Sequence, residues 1–177
     1  KKLKPIFDLG FNPIGNDYTK KPNNCLLIPL EIVSCIDCGF KQLSTVVNQD
    51  KVYLDFLYTT RISKGLVDHF EKGFKFILKK KLVKEGDFIL DIGSNDGSNL
   101  NIFKSHKFDI LGIEPAKDLA KLANRNGIKT INGFFSKNIV TKILKTKKKP
   151  KLICIYNTMA NIDNLNEFMK NLLLLVG

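Results

Sequence analysis

From residue 63 onward, short apolar runs alternate with amphipathic stretches, and this alternation restricts the possible folds more than any other feature. The runs of strand length are residues 88–93, 108–114, 129–132 and 151–157. Apolar residues recur every three or four positions, as on one helix face, in residues 98–105, 116–126, 136–145 and 164–175. Strands that alternate with helices form βαβ units. We therefore predict an α/β fold with a parallel sheet that helices cover on both faces.

The first 62 residues have a different texture, because turn-forming residues interrupt them at short intervals. These residues are Pro5, Gly10, Pro13, Gly15, Pro22, Pro29 and Gly39. Only short strand-like pieces lie between them, at residues 26–30, 31–35 and 40–47. A small module of this kind usually needs a staple such as a metal ion. We predict two domains, residues 1–62 and residues 63–177, the second opening with an amphipathic helix that ends near Gly86.

The cysteines suggest where such a metal ion would bind. Two residues separate Cys35 from Cys38, a spacing at which two thiolates can hold one tetrahedral metal ion. One such pair is half of a structural zinc site. Cys25 and His69 could supply the other ligands, although nothing local places them there. Cys154 lies in an apolar run and is most simply a buried small hydrophobe.

Charge and hydropathy narrow the choice of partners. The net charge of +12 raises the possibility of nucleic-acid binding, but only Arg61 and Arg125 among the 29 basic residues are arginine. The lysine runs at residues 79–81 and 147–149 resemble solvated helix ends. No apolar run reaches the roughly 18–20 residues of a membrane-spanning helix, and the first residues lack the apolar core of a signal peptide. We expect a cytoplasmic protein that acts on a small molecule.

The chemistry should lie where the first two strands of this series end, because ligands of open parallel sheets bind at the carboxyl ends of the strands. The first strand runs into DIGSNDG at residues 91–97, and Glu114 ends the second. Gly93 and Gly97 allow a sharp turn, and a carboxylate at position 114 can accept hydrogen bonds from both ribose hydroxyls. Asp96 would repel a pyrophosphate. The pattern therefore favours a nucleoside cofactor with an amino-acid tail and a sulfonium charge over a dinucleotide.

Two segments, DIGSNDG at residues 91–97 and GIEPA at residues 112–116, resemble the paired motifs of the sugar C-methyltransferases. The upstream sequence agrees in order, at Leu9-Gly10, Pro13, Asn16, Pro29-Leu30, CIDCG at residues 35–39 and DFLY at residues 55–58. The resemblance implies a Rossmann-like methyltransferase domain that uses S-adenosylmethionine, preceded by a zinc-binding module. It also implies a nucleotide-linked keto-deoxysugar as the substrate, methylated on carbon.

The resemblance implies roles for individual residues. The methionine tail and ribose of the cofactor would contact Gly93, Ser94, Asn95, Asp96 and Gly97. Glu114 would bind the ribose hydroxyls, and Asn157 would lie near the methyl donor. The adenine would lie beside Pro115 and be flanked by the segment Gly133-Phe134-Phe135; core packing is the alternative for these two aromatics. The sugar nucleotide would face Tyr58, Ser63 and His69.

The chain departs from the family pattern in three ways. It lacks the upstream Cys-x-x-Cys pair, which leaves Cys35 and Cys38 with no obvious partners for holding a zinc ion. Asn161 occupies the place of a histidine that is a candidate general base, and the remaining weak candidates are Tyr58, His69 and Tyr156. Four strands stand where the fold has seven, so we interpret the chain as an internal fragment. Alternatives are methylation of oxygen or nitrogen on another small molecule, or a non-catalytic basic binding module.

Overall fold

The computed structural model describes residues 2–15, 25–146 and 148–176. The sequence predictions also involve Asn16, Pro22, Lys147 and Gly177, which lie outside these ranges. The chain divides into two compact units, one that ends at Tyr53 and one that begins at Leu54. The second unit thus begins earlier than the domain boundary expected after residue 62. The intervening residues belong with the second unit because the Thr60 and Arg61 amides donate hydrogen bonds to the side chains of Asn95 and Asp96.

The first unit is a small antiparallel sheet followed by a short helix. Its strands, in spatial order, are β1 (Leu3–Pro13), β2 (Leu27–Cys35) and β3 (Lys41–Leu43), and α1 is Gln49–Tyr53. β2 is one continuous strand where the sequence predicted two pieces. β1 was not predicted, because Pro5 and Gly10 look like turn signals; the ladder to β2 instead shifts register around them. Among the described apolar side chains of this unit, only Ile14, Val33 and Cys35 are buried.

The second unit is the predicted α/β fold, and the parallel sheet is confirmed. The strands are β4 (Phe88–Ile92), β5 (Asp109–Glu114), β6 (Thr130–Asn132) and β7 (Leu152–Cys154). The helices are α2 (Lys64–Lys79), α3 (Ser98–Ser105), α4 (Lys117–Arg125), α5 (Lys137–Lys145) and α6 (Leu165–Val176). The sheet order is β6-β5-β4-β7, and all its pairings are parallel.

Two apolar clusters cover the two faces of this sheet. Successive residues of β4 point to opposite faces, so Ile89 joins the cluster that contains Phe74 and Phe103, whereas Leu90 joins the cluster that contains Val140. Most of the side chains in both clusters are buried. This packing holds the carboxyl ends of β4 and β5 side by side, which is where the sequence places the candidate site.

Two elements end earlier than predicted. α2 ends at Lys79 rather than near Gly86, because the chain turns at Lys81, which has a φ of +55°. Beyond Lys79 the apolar spacing wrongly predicts more helix, because Val83 packs into the core although it lies after the end of α2. β7 ends at Cys154, so Asn157 lies in the following loop rather than at the strand end.

Within the described ranges, the structure contains no helix that is both long enough and apolar enough to cross a membrane.

Candidate functional site

The glycine turn between β4 and α3, residues 93–97, is the centre of the candidate site. Gly93 and Gly97 have φ values of +75° and +81°, and Asn95 has a φ of +51°. Glycine adopts this left-handed conformation without strain, and asparagine tolerates it better than most other residues. The amides of Gly93 and Ser94 both donate to the Ile113 carbonyl, at 2.8 and 3.1 Å. The turn is therefore fastened to β5, directly before Glu114.

Gly93 lies under Thr158, from the loop after β7. A Cβ atom added at Gly93 would collide with the Thr158 hydroxyl and lie 3.2 Å from the Thr158 Cβ. The close approach brings the loop after β7 onto the glycine turn. The sequence gives no sign of Thr158, since a single threonine in a loop carries no pattern.

We expect Gly93→Ala to lower the free energy of unfolding more than Gly86→Ala. Both glycines have a positive φ, but a Cβ at Gly86 meets nothing within 4 Å, so only the change at Gly93 adds a steric clash. Overpacking of this kind typically costs about 1–3 kcal/mol. Chemical denaturation of the two variants measures the difference, and equal losses would contradict a tight contact with Thr158.

Glu114 is held in a fixed orientation at the end of β5. Its Oε2 accepts a hydrogen bond from the Asn95 amide at 2.7 Å, and its Oε1 accepts one from the Ala116 amide at 2.8 Å. The residue is only 5% exposed. Burial raises the pKa of this carboxyl, whereas the two amide bonds act in the opposite direction. Each oxygen keeps a further lone pair, so the carboxylate can still accept two hydrogen bonds from a ligand.

Asp91 lies below the turn, inside the sheet. Its Oδ2 accepts a hydrogen bond from the Asn99 side-chain amide at 2.9 Å. Burial raises the pKa of Asp91 to about 7; the bond from Asn99 counteracts this, and the charge of Glu114 adds to it. Cys154 pairs with Asp91 across the sheet, and burial followed by the Asp91 charge raises the pKa of its thiol to about 12. Cys154 is thus the buried small hydrophobe that the sequence suggests.

Asn95 and Asp96 bind the chain segment at residues 58–61, which we call the strap. The Asn95 Oδ1 accepts the Thr60 amide at 2.9 Å, and its Nδ2 donates to the Tyr58 carbonyl at 2.9 Å. The Asp96 Oδ2 accepts the Arg61 amide at 2.9 Å. Sequence reasoning missed Thr60 and Arg61, because they take part through backbone amides, which leave no signal in residue type.

Ser94 points toward the sheet. A Cβ at Gly112 would lie 3.0 Å from the Ser94 Cβ and 2.9 Å from the Thr130 hydroxyl, so the absence of a side chain at position 112 makes room for Ser94. Among the described residues, the buried Ser94 hydroxyl has no hydrogen-bond partner.

The residues expected around the adenine are divided between the site and the core. Pro115 is half-buried, and its carbonyl accepts a hydrogen bond from the Asn132 side chain at 2.8 Å. Phe134 is half-buried. The Phe135 and Phe168 ring centroids lie 5.0 Å apart within the core. Core packing was the alternative that the sequence analysis gave for this aromatic. Asn157 is exposed, with a φ of +52°.

The structure brings together two of the three candidate bases. The His69 and Tyr156 rings meet edge to face with centroids 6.1 Å apart, and Tyr156 also packs on Phe70 at 4.7 Å. Burial, then the charges of Cys154 and Asp91, raises the pKa of Tyr156, so less of its phenolate form is available to act as a base near neutral pH. The Tyr58 carbonyl is bonded to Asn95, and the Asn161 side chain donates to the Asn157 carbonyl at 3.1 Å.

Cys35 ends β2, and Cys38 lies on the tight turn that follows it. The Gly39 amide donates to the Cys35 carbonyl, and the Cys35 amide donates to the Phe40 carbonyl, both at 2.8 Å. Amide hydrogen bonds from Cys38 and Asp37 lower the pKa of the Cys35 thiol. In the part of the chain that the structure describes, no three His, Cys, Asp or Glu side chains form a group that could hold a metal ion. The described residues thus supply only half of a tetrahedral zinc site.

This geometry defines a class of site. A parallel α/β unit with a glycine turn after one strand and a buried carboxylate at the end of the next is typical of domains that bind a nucleoside cofactor.

Comparison with known proteins adds a more particular likeness. Residues 1–53 match the family described as "Putative zinc binding domain". The chain is 25% identical, over 143 residues, to the C-methyltransferase NovU of Streptomyces niveus; the match covers 81% of this chain and 34% of that protein. The chain therefore spans about a third of the length of this relative.

Two solved structures share part of the fold. One is the plantazolicin methyltransferase BpumL in complex with SAH, with 22% identity, a TM-score of 0.43 and coverage of 62% of this chain and 39% of that one. The other is an SAM-dependent methyltransferase from Geobacter sulfurreducens in complex with S-adenosyl-L-homocysteine, with 15% identity and a TM-score of 0.46. That match covers 60% of this chain and 43% of the other.

Proposed function

We propose that this chain is part of an S-adenosylmethionine-dependent methyltransferase and carries its cofactor site. The observation that carries the proposal is the way in which the Glu114 carboxylate is held. Two backbone amides fix its carboxylate beside the glycine turn and leave one lone pair on each oxygen. Two vicinal ribose hydroxyls would match these acceptors. The 25% identity to the C-methyltransferase NovU supports the same class.

The residues present fit such a cofactor. Glu114 would bind the ribose, Gly93 and Gly97 would let the backbone approach the ligand closely, and Pro115 and Phe134 would flank the base. When bound, S-adenosylmethionine supplies an electrophilic methyl group, and the chief task of the protein is to position the acceptor carbon in line with it.

We further propose that the methyl acceptor is a carbon atom of a nucleotide-linked keto-deoxysugar. Support comes from the resemblance of the DIGSNDG and GIEPA segments and from the name of the relative NovU, a C-methyltransferase. A carbon next to a carbonyl becomes nucleophilic when a base removes its proton. Of the candidate bases, we propose His69, because histidine is the side chain that most often serves as a general base and its ring lies beside Tyr156. The pKa of Tyr156 itself is raised.

The proposal includes a zinc ion for which the described residues supply only two of the four ligands. Cys35 and Cys38 would be two of its four ligands, in keeping with the family that residues 1–53 match. No step of the proposed reaction depends on it, because a zinc ion held by thiolates in this module would have a structural role.

Calorimetric titration of S-adenosylmethionine into the 177-residue chain tests the proposal. We expect saturable binding of about one ligand per chain with micromolar affinity, and no binding of NAD under the same conditions, since Asp96 would repel its pyrophosphate. Circular dichroism establishes that the sample is folded. A folded chain that binds neither ligand would contradict a cofactor site in these residues.

A further inference from the structure

The strap makes three hydrogen bonds to two consecutive side chains of the glycine turn. Asn95 binds the Tyr58 carbonyl and the Thr60 amide, and Asp96 binds the Arg61 amide, each at 2.9 Å. The partners lie 35 to 37 positions apart in the sequence. These bonds are therefore tertiary contacts that join two separate segments, not local turn bonds.

The hydrogen-bonding capacity of Asn95 is nearly used up by these contacts. Its Oδ1 accepts from two amides, those of Thr60 and Asp96, both at 2.9 Å, which occupies both lone pairs. Its Nδ2 keeps one free hydrogen. The side chain therefore has no acceptor left for the ammonium group of an amino-acid tail.

Asp96 is also largely occupied, because three of its four lone-pair sites accept hydrogen bonds and one is left on Oδ2. Its Oδ1 accepts the Ser98 amide at 3.1 Å and the Ser98 hydroxyl at 2.6 Å, and its Oδ2 accepts the Arg61 amide. The residue is 5% exposed. One carboxylate thus secures both the first turn of α3 and the strap.

From these bonds we infer that Asn95 and Asp96 are positioning residues, which act on the cofactor through the strap rather than by contact. The inference rests on the proposed function. The Asn95 amide binds Glu114 while its side chain binds the strap, so one residue fixes both the ribose-binding carboxylate and the strap beside it. The strap would then form one wall of the cofactor site. This role differs from direct ligand contact, which the sequence resemblance implies for both residues.

Amide hydrogen exchange in the ligand-free chain, followed residue by residue by NMR, tests the attachment of the strap. Asn95→Gly removes the side chain at a position where glycine fits the backbone without strain. We expect the Thr60 amide to exchange at least ten times faster in this variant, and the Arg61 amide likewise in Asp96→Ala, which removes both acceptor oxygens. Lys81→Gly also replaces a residue with positive φ, but outside the site, and should change neither amide. Unchanged Thr60 exchange in Asn95→Gly would overturn the inference.

A double-mutant cycle on S-adenosylmethionine affinity tests whether Asn95 acts through the strap. Thr60→Pro removes the donated amide and leaves Asn95 intact. The extended backbone of Thr59, with φ −105° and ψ 129°, tolerates a following proline. We expect each variant to bind at least tenfold more weakly and the double variant to bind no more weakly than the weaker single one.

If the affinity losses of the two single variants multiply in the double variant, Asn95 contacts the ligand directly. If Asn95→Gly leaves the affinity unchanged, the attachment of the strap does not matter for binding. Either result overturns the inference. A wild-type chain that binds no cofactor would overturn the proposed function and the cofactor role of the strap together. The exchange measurement would still decide whether Asn95 and Asp96 hold the strap, so the two failures can be told apart.

Discussion

Glu114→Ala should weaken S-adenosylmethionine binding at least about 100-fold. The carboxylate would accept two hydrogen bonds from the ribose, and hydrogen bonds to a charged group contribute about 1.5–3 kcal/mol each. Their combined loss corresponds to a factor of about 100 or more in the dissociation constant. Titration calorimetry on the variant and the wild-type chain measures the effect.

Two further variants separate binding from folding. Glu114→Gln keeps the shape of the side chain but loses its charge, and we expect about a tenfold weaker affinity. Glu85→Ala removes an exposed glutamate that forms only a surface ion pair with Lys107 at 3.6 Å, and it should bind like the wild type. If folded Glu114→Ala binds the cofactor as tightly as Glu85→Ala does, Glu114 is not the ribose ligand.

The second large effect concerns Asp91 and the dependence of stability on pH. Burial raises the pKa of Asp91 from 3.8 to about 7 in the folded chain. Between these values the unfolded chain has released this proton and the folded chain has kept it, so the contribution of Asp91 to stability falls as the pH rises. At 1.36 kcal/mol per pH unit, the loss reaches about 4 kcal/mol near pH 7 and then levels off.

Asp91→Asn should remove this loss. The amide remains neutral at every pH and can still accept the hydrogen bond from Asn99. We expect the variant and the wild type to have similar free energies of unfolding at pH 4, and the variant to be more stable by about 4 kcal/mol at pH 8. Urea denaturation followed by circular dichroism between pH 4 and pH 8 gives both curves.

The difference between the two curves isolates Asp91. Glu114 also has a raised pKa and contributes a slope of the same sign, but it does so in both proteins. Cys154 titrates well above this range, since its pKa is raised to about 12. Parallel curves would mean that Asp91 is ionised in the folded chain.

Much of the second unit could be predicted from the sequence, because its elements bury continuous apolar faces. The observed α3 has the bounds that the sequence predicts, and the turn at residues 93–97 and the acid at 114 lie together at the carboxyl ends of neighbouring strands. Alternation of period two and period 3.6 encodes this directly, since each period places apolar side chains on one face.

The first unit was harder to predict. β1 contains Pro5 and Gly10, which are turn signals in an isolated sequence, yet it pairs along β2 with two shifts in register. The ladder tolerates these residues where its register is irregular. Such tolerance depends on the partner strand, about which the local sequence of β1 carries no information.

The sequence by itself determined the parallel α/β unit, the glycine turn and the acid at the end of the second strand of the series, because apolar periodicity and residue type encode them locally. Only the tertiary structure decided the environment of Asp91, the fixed orientation of Glu114 and the attachment of the strap to Asn95 and Asp96. Those features arise from burial and from backbone amides of distant segments. Every residue except proline has the same backbone amide, so residue type cannot reveal which amide binds a given side chain.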